Sequence, residues 1–137
     1  MTRELEGLVL RCIGGFYYVE TADAVYTCRA RGAFRRQGLS PVAGDRVVIS
    51  VPESGDGTVS QVLPRRNCLV RPPVANVDVL VLVASIREPI TNTLVLDKMI
   101  AVAEKQGICP LLVINKTDLG DPQPLADIYR RAGFECY

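Results

Sequence analysis

At Val77 the chain changes its pattern, and that change limits the available folds more than any other feature. Residues 77–85, VDVLVLVAS, are a nearly continuous apolar run, as expected of a strand covered on both faces in a parallel sheet. Leu94, Leu96, Met99, Ile100, Val102 and Ala103 then recur at roughly helical spacing, with Thr93 placed as N-cap and Gly107 as C-terminal stop. Residues 108–114 repeat the buried-strand pattern, residues 122–132 read as a second helix ended by Gly133, and residues 134–137 begin another strand. The order β-α-β-α-β predicts the opening of a doubly wound, Rossmann-like α/β fold.

The sequence before this point reads differently. Residues 5–13, 16–20, 24–30, 45–51 and 57–64 are short and rich in Val, Tyr, Thr and Ile, which predicts β-strands. Gly14-Gly15, Thr21-Ala22-Asp23, Val42-Ala43-Gly44-Asp45 and the stretch 53–57 supply the turn residues between them. Five strands at this spacing suggest a small closed barrel, with the five-stranded oligonucleotide/oligosaccharide-binding (OB) fold leading on strand count and an SH3-like barrel as runner-up. The stretch 65–75, RRNCLVRPPVA, joins the two halves, and Pro72-Pro73 favours extended backbone there. The expected division is therefore an OB domain over 1–70 and the first part of an α/β domain over 71–137.

Charge divides the same way. Up to Ala75 there are ten basic and seven acidic residues, and beyond it six and eight, so only the front half is suited to phosphate backbone. No run of about 18 apolar residues is present, and the acidic start MTRELEGLVLR is unlike a signal peptide, which predicts a soluble, cytoplasmic protein with no membrane partner. Five cysteines, at 12, 28, 68, 109 and 136, form no C-x-x-C pair, and histidine is absent, so reduced and mostly buried thiols are expected rather than a disulfide framework or a zinc site.

At the carboxyl end of the second apolar strand stand Asn115, Lys116, Thr117 and Asp118, where open α/β sheets form their ligand crevice. An N-K-x-D sequence there fits guanine. The carboxylate of Asp118 offers acceptors to N1-H and the 2-amino group, whereas adenine has no donor at N1 and nothing at C2. Asn115 can face the N7/O6 edge, and the aliphatic stem of Lys116 can lie across the base. The same residues are good turn formers, but a chance match would rarely fall at the end of an apolar strand in a β-α-β unit. No G-x-x-x-x-G-K-[ST] phosphate loop occurs anywhere in the sequence, and a barrel stands where that loop would ordinarily precede N-K-x-D.

This order, with RPPVANVD at 71–78, the stretch 85–119 that ends in NKTDL, and VAGDRVV at 42–48, resembles the RsgA (YjeQ) family of ribosome-biogenesis GTPases over nearly the whole chain. The resemblance implies an OB domain, a circularly permuted GTPase domain and a C-terminal zinc-binding domain acting in late maturation of the 30S subunit. It implies GTP/GDP with Mg2+ as cofactors, Zn2+ in the C-terminal domain, the 30S subunit and its 16S rRNA as partners, and a monomer. Only Asn115, Lys116, Thr117 and Asp118 inherit a site role from the family. The phosphate loop, switch segments, catalytic residues and zinc ligands have no counterpart here, so a fragment without GTPase activity is expected.

Arg29, Arg31, Arg35 and Arg36 crowd beside Tyr26 and Phe34, and Arg65 and Arg66 flank the exit from the barrel, a mixture suited to phosphate contact and base stacking. Together with the resemblance this predicts rRNA contact through these six arginines. Tyr17, Tyr18 and Tyr26 are expected to pack the barrel, Asp45 to serve a turn, and Asp97 and Lys98 to be helix-surface charges. The rival reading is a stand-alone OB-fold RNA-binding or translation-factor module with the α/β half as scaffold; a phosphate loop encoded beyond Tyr137 would discriminate the two.

Overall fold

The computed structural model describes the backbone of residues 1–137 and every side chain except that of Arg35. The chain divides into two compact units, Met1–Val77 and Asp78–Tyr137.

The first unit is built on β1 (Arg3–Ile13), β2 (Phe16–Glu20), β3 (Val25–Ala30), α1 (Gly32–Arg36), β4 (Arg46–Val51) and β5 (Gly57–Val62). These strands close in the order β1-β2-β3-β5-β4, with β3 and β5 parallel and the other pairs antiparallel. A five-stranded closed barrel of this order is the expected OB architecture. The long β1 makes closure possible, because Arg3 to Leu8 pair with β4 while Leu8 to Ile13 pair with β2. Val9, Val19, Cys28, Val47, Ile49 and Val59 fill the interior, and Phe34 of α1 plugs it at 8% exposure. Phe34, expected as a stacking surface for bases, is a core residue instead. Tyr17 and Tyr26 pack against the same core, whereas Tyr18 lies on the outer face beneath Arg11.

A strap then runs from the barrel through β6 (Cys68–Leu69) and β7 (Val74–Ala75), which pair antiparallel. Its polar side chains determine its course. The Asn67 side-chain amide donates to the Val77 carbonyl at 2.8 Å, and its oxygen accepts from Val77 N-H at 2.7 Å. The amide of Asn76 donates to the Gly44 carbonyl at 3.0 Å. Gly44, at φ +89°, lies where an added Cβ would stand 2.0 Å from the Ala75 carbonyl oxygen, so only glycine admits the strap this closely.

The second unit comprises β8 (Val79–Ser85), α2 (Thr93–Lys105), β9 (Cys109–Asn115), α3 (Gln123–Arg131) and β10 (Glu135–Cys136), with a parallel sheet in the order β10-β9-β8. The N-cap of α2 is Asn92, whose side chain accepts from Leu94 N-H at 3.0 Å, and the expected cap Thr93 is the first helical residue. Gly107 and Gly133 end the two helices at positive φ, as expected.

Coverage of this sheet departs from expectation. Leu82, Ala84, Leu112 and Ile114 share one core with Leu96 and Ile100 of α2 and Ala126 and Tyr129 of α3, so both helices lie on the same face. On the other face Val79, Val81 and Val83 are 49%, 51% and 63% exposed. The cause is topological. Each strand is added on the same side of the last, and right-handed crossovers that all step one way place their helices on one face. Among the described residues no helix is long and apolar enough to cross a membrane.

Candidate functional site

Parallel pairing of β8 and β9 from Val79↔Cys109 to Ser85↔Asn115 brings the carboxyl ends of both strands to one edge. Asn115 is the last residue of β9, so the sheet delivers N-K-T-D into the loop beyond that edge. Lys116 adopts φ +60° and its carbonyl accepts from Leu119 N-H at 3.0 Å, a tight turn that exposes Thr117 and Asp118. Among the described residues no side chain pairs with the Asp118 carboxylate, which leaves its acceptors open to a ligand.

The neighbouring loop, from Ser85 to Asn92, is tied to the same edge. Thr91 Oγ1 accepts from Ser85 N-H at 2.7 Å, the Asn115 carbonyl accepts from Ile86 N-H, and the Lys116 ammonium donates to the Glu88 carbonyl. Arg87 and Ile86 stand 3.5 Å from the position a Cβ on Gly120 would occupy. Lys116 is thus anchored at its tip, and its aliphatic stem spans the gap between the two loops. The Asp97 carboxylate, exposed on α2 as expected, also accepts from the Tyr129 hydroxyl at 2.8 Å and so braces α2 against α3. Burial first, and that bond second, push the Tyr129 phenol up to about 12.

The arginines expected to meet RNA fall into different settings. Arg29 is exposed on β3, stacked 4.7 Å over the ring of Phe16 and 3.7 Å from Asp56. Arg31 and Arg36 are exposed at either end of α1, and the side chain of Arg35 lies outside the described residues. Arg65 turns inward. Its Nε and Nη2 donate to the two oxygens of Asp45 at 2.8 Å each, and Nη2 also donates to the Ser40 carbonyl at 3.1 Å. Asp45, expected as a turn residue, is fully buried and also accepts from Val42 N-H at 2.8 Å. Its hydrogen bonds raise the Arg65 guanidinium above its ordinary value. Arg66 is exposed and donates to the Asn76 carbonyl at 3.2 Å. Arg11 was not foreseen, and its guanidinium lies 4.4 Å over the ring of Tyr18. The signal was present in the Gly14-Gly15 turn, from which counting back places Arg11 opposite Tyr18.

The thiols are free, but only Cys28 and Cys136 are buried, while Cys12 and Cys109 are exposed. Among the described residues no three His, Cys, Asp or Glu side chains converge to hold a metal ion.

The family profile described as RsgA N-terminal domain matches residues 6–59, and the one described as RsgA GTPase matches residues 62–137. Small ribosomal subunit biogenesis GTPase RsgA of Caldanaerobacter subterraneus subsp. tengcongensis is 42% identical over 135 residues, covering 96% of this chain and 46% of that protein. RsgA 1 of Listeria monocytogenes is 40% identical over 139 residues, covering 97% and 48%. The chain spans about half the length of the curated relatives it matches. Among solved structures, YloQ, a circularly permuted GTPase, superposes with a TM-score of 0.78 at 34% identity, over 98% of this chain and 51% of that one. YjeQ from Thermotoga maritima superposes with a TM-score of 0.77 at the same identity and coverage.

Proposed function

Because this chain belongs to the RsgA family, we propose that it supplies the rRNA-binding barrel and the guanine-reading part of a cytoplasmic, ribosome-associated GTPase that assists late maturation of the 30S subunit. The carrying observation is the sequence N-K-T-D at the carboxyl end of a parallel strand, with an OB barrel rather than a phosphate loop before it. On this reading residues 1–70 bind 16S rRNA and residues 71–137 form the first part of the circularly permuted GTPase domain, in a monomeric protein.

The chemistry of Asn115 to Asp118 follows from what each atom can donate or accept. Asp118 accepts from guanine N1-H and the 2-amino group, Asn115 faces the opposite edge, and Lys116, tied at its tip to the Glu88 loop, lays its stem on the ring. Guanine nucleotide fits these residues, but Mg2+ finds no donor set here. Zn2+ belongs on this reading to a further domain of the whole protein. Hydrolysis accordingly needs a phosphate cradle and metal from the rest of that protein, where the ribosome accelerates it. Support for an RNA-binding barrel comes from exposed Arg29, Arg31, Arg36 and Arg66 on the basic half of the chain.

The test is base preference in a protein of the relatives' full length. Asp118→Asn replaces one acceptor by a donor, which suits the 2-carbonyl of xanthine and opposes the 2-amino group of guanine at a cost of about 1–3 kcal/mol. Competition binding should move from GTP towards XTP. Undiminished preference for GTP with the fold intact would show that Asp118 does not read the base.

A further inference from the structure

Resting on the reading of the barrel as an RNA-binding unit, we propose that the outer face of β1–β3 carries a two-step stacking platform for unpaired bases, made by Tyr18 with Arg11 and by Phe16 with Arg29. The strand registers assemble it. Arg11 on β1 lies directly opposite Tyr18 on β2, and Arg29 on β3 directly opposite Phe16. Each guanidinium covers its ring, at 4.4 Å and 4.7 Å from the ring centroids. Both arginines are exposed, so the outer plane of each guanidinium is open to a base, and a cation stacked on an aromatic ring is held flat for such a contact.

Spacing selects the ligand. Residues 16 and 18 point to the same face of one strand and are about 7 Å apart along it. Bases stacked within a duplex follow one another at about 3.4 Å. Neighbouring bases of a duplex therefore cannot occupy both steps, whereas bases splayed from an extended single strand can. Phe16 and Arg29 also line a cleft of about 290 Å³ with Gly14, Gly15, Phe34 and Pro41, below the usual range of drug-sized sites. One unstacked base at the second step could reach into it. Charge favours the same partner, since the platform carries two guanidinium groups of which Asp56 approaches only Arg29, at 3.7 Å.

The experiment titrates the 137-residue chain with octauridine and with a blunt 12-base-pair RNA duplex over a range of salt. Phe16→Leu combined with Tyr18→Leu should weaken octauridine binding about tenfold or more, leave the duplex within about twofold, and keep the salt slope, because the rings carry no charge. Arg11→Lys should weaken octauridine at constant charge, having lost its plane. Equal losses for both RNAs, or none for octauridine, would overturn the platform. Arg31→Glu with Arg36→Glu tests the broader reading separately: an unchanged salt slope removes that basic face and leaves the platform standing, whereas absence of binding of the unaltered chain to either RNA defeats both. Should the ring variants fail to fold, photocross-linking of octa-5-iodouridine to the unaltered chain decides, with cross-links expected between residues 11 and 29 and a location elsewhere overturning the proposal.

Discussion

The buried carboxylate of Asp45 shows how a single partner decides what an arginine is for. Its two buried oxygens take parallel hydrogen bonds from Arg65, whose side chain stays partly exposed, a geometry that lysine cannot reproduce. Arg65→Ala would leave that charge uncompensated and should cost about 3 kcal/mol or more in chemical denaturation, with Arg65→Lys recovering little. A loss of RNA affinity at unchanged stability would return Arg65 to the surface role its sequence suggested. The proposed N-K-T-D site can be picked out in the sequence because its four residues are contiguous, but the partner of Arg65 stands 20 residues away, where only the fold brings them together. The thiol of fully buried Cys28 is pushed up to about 11, mainly by burial and then by Asp56. Between pH 9 and 11 the unfolded chain has given up this proton and the native chain retains it, so stability must fall as pH rises through that window, by up to about 2–3 kcal/mol from this group. Urea titrations should show a shallower alkaline loss in Cys28→Ala, with some slope remaining because burial also raises Cys136. Equal slopes in the two proteins would mean that Cys28 is not protected.

Elements were read more successfully than contacts. The five barrel strands lie within a few residues of their expected positions because turn residues mark both ends of each, and the two helices because their apolar spacing is sustained. The α2 cap was displaced by one residue, since Asn92 and Thr93 are both competent caps and only the backbone decides between them. Asn92→Ala should therefore cost about 1 kcal/mol, while Thr93→Ala should cost less. The outer-face stacks were missed because they depend on strand register, which periodicity does not supply. The strap β6–β7 was invisible for another reason, as its two-residue strands are held by Asn67, Asn76 and the bare backbone of Gly44 rather than by a pattern of apolar residues. Gly44→Ala meets both a positive φ and the Ala75 carbonyl. It should destabilise the first unit by at least about 1–3 kcal/mol, measured by thermal or urea unfolding.

Across the whole molecule, the valines of β8 show what a partial α/β sheet leaves undone. Their apolar run predicted cover on both faces, and the topology provides it on one, because β8, β9 and β10 follow in a single direction and the order of strands never reverses. Half-exposed Val79, Val81 and Val83 are then either ordinary strand formers at a wet surface or one side of an interface with structure outside these 137 residues. The two possibilities diverge for a charged substitution. Val81→Lys at a wet surface should change the stability of the 137-residue chain by no more than about 0.5 kcal/mol, because the ammonium stays hydrated. In a protein of the relatives' full length the same substitution should cost several times more, because it would place an unpaired ammonium beneath covering side chains. Binding of a hydrophobic dye should follow the same logic, strong for the short chain, reduced by Val81→Lys, and weak for the long one. Parallel denaturation curves for the two lengths decide the matter, and an equally small effect in both would mean that this face of the sheet meets water whatever the length of the chain.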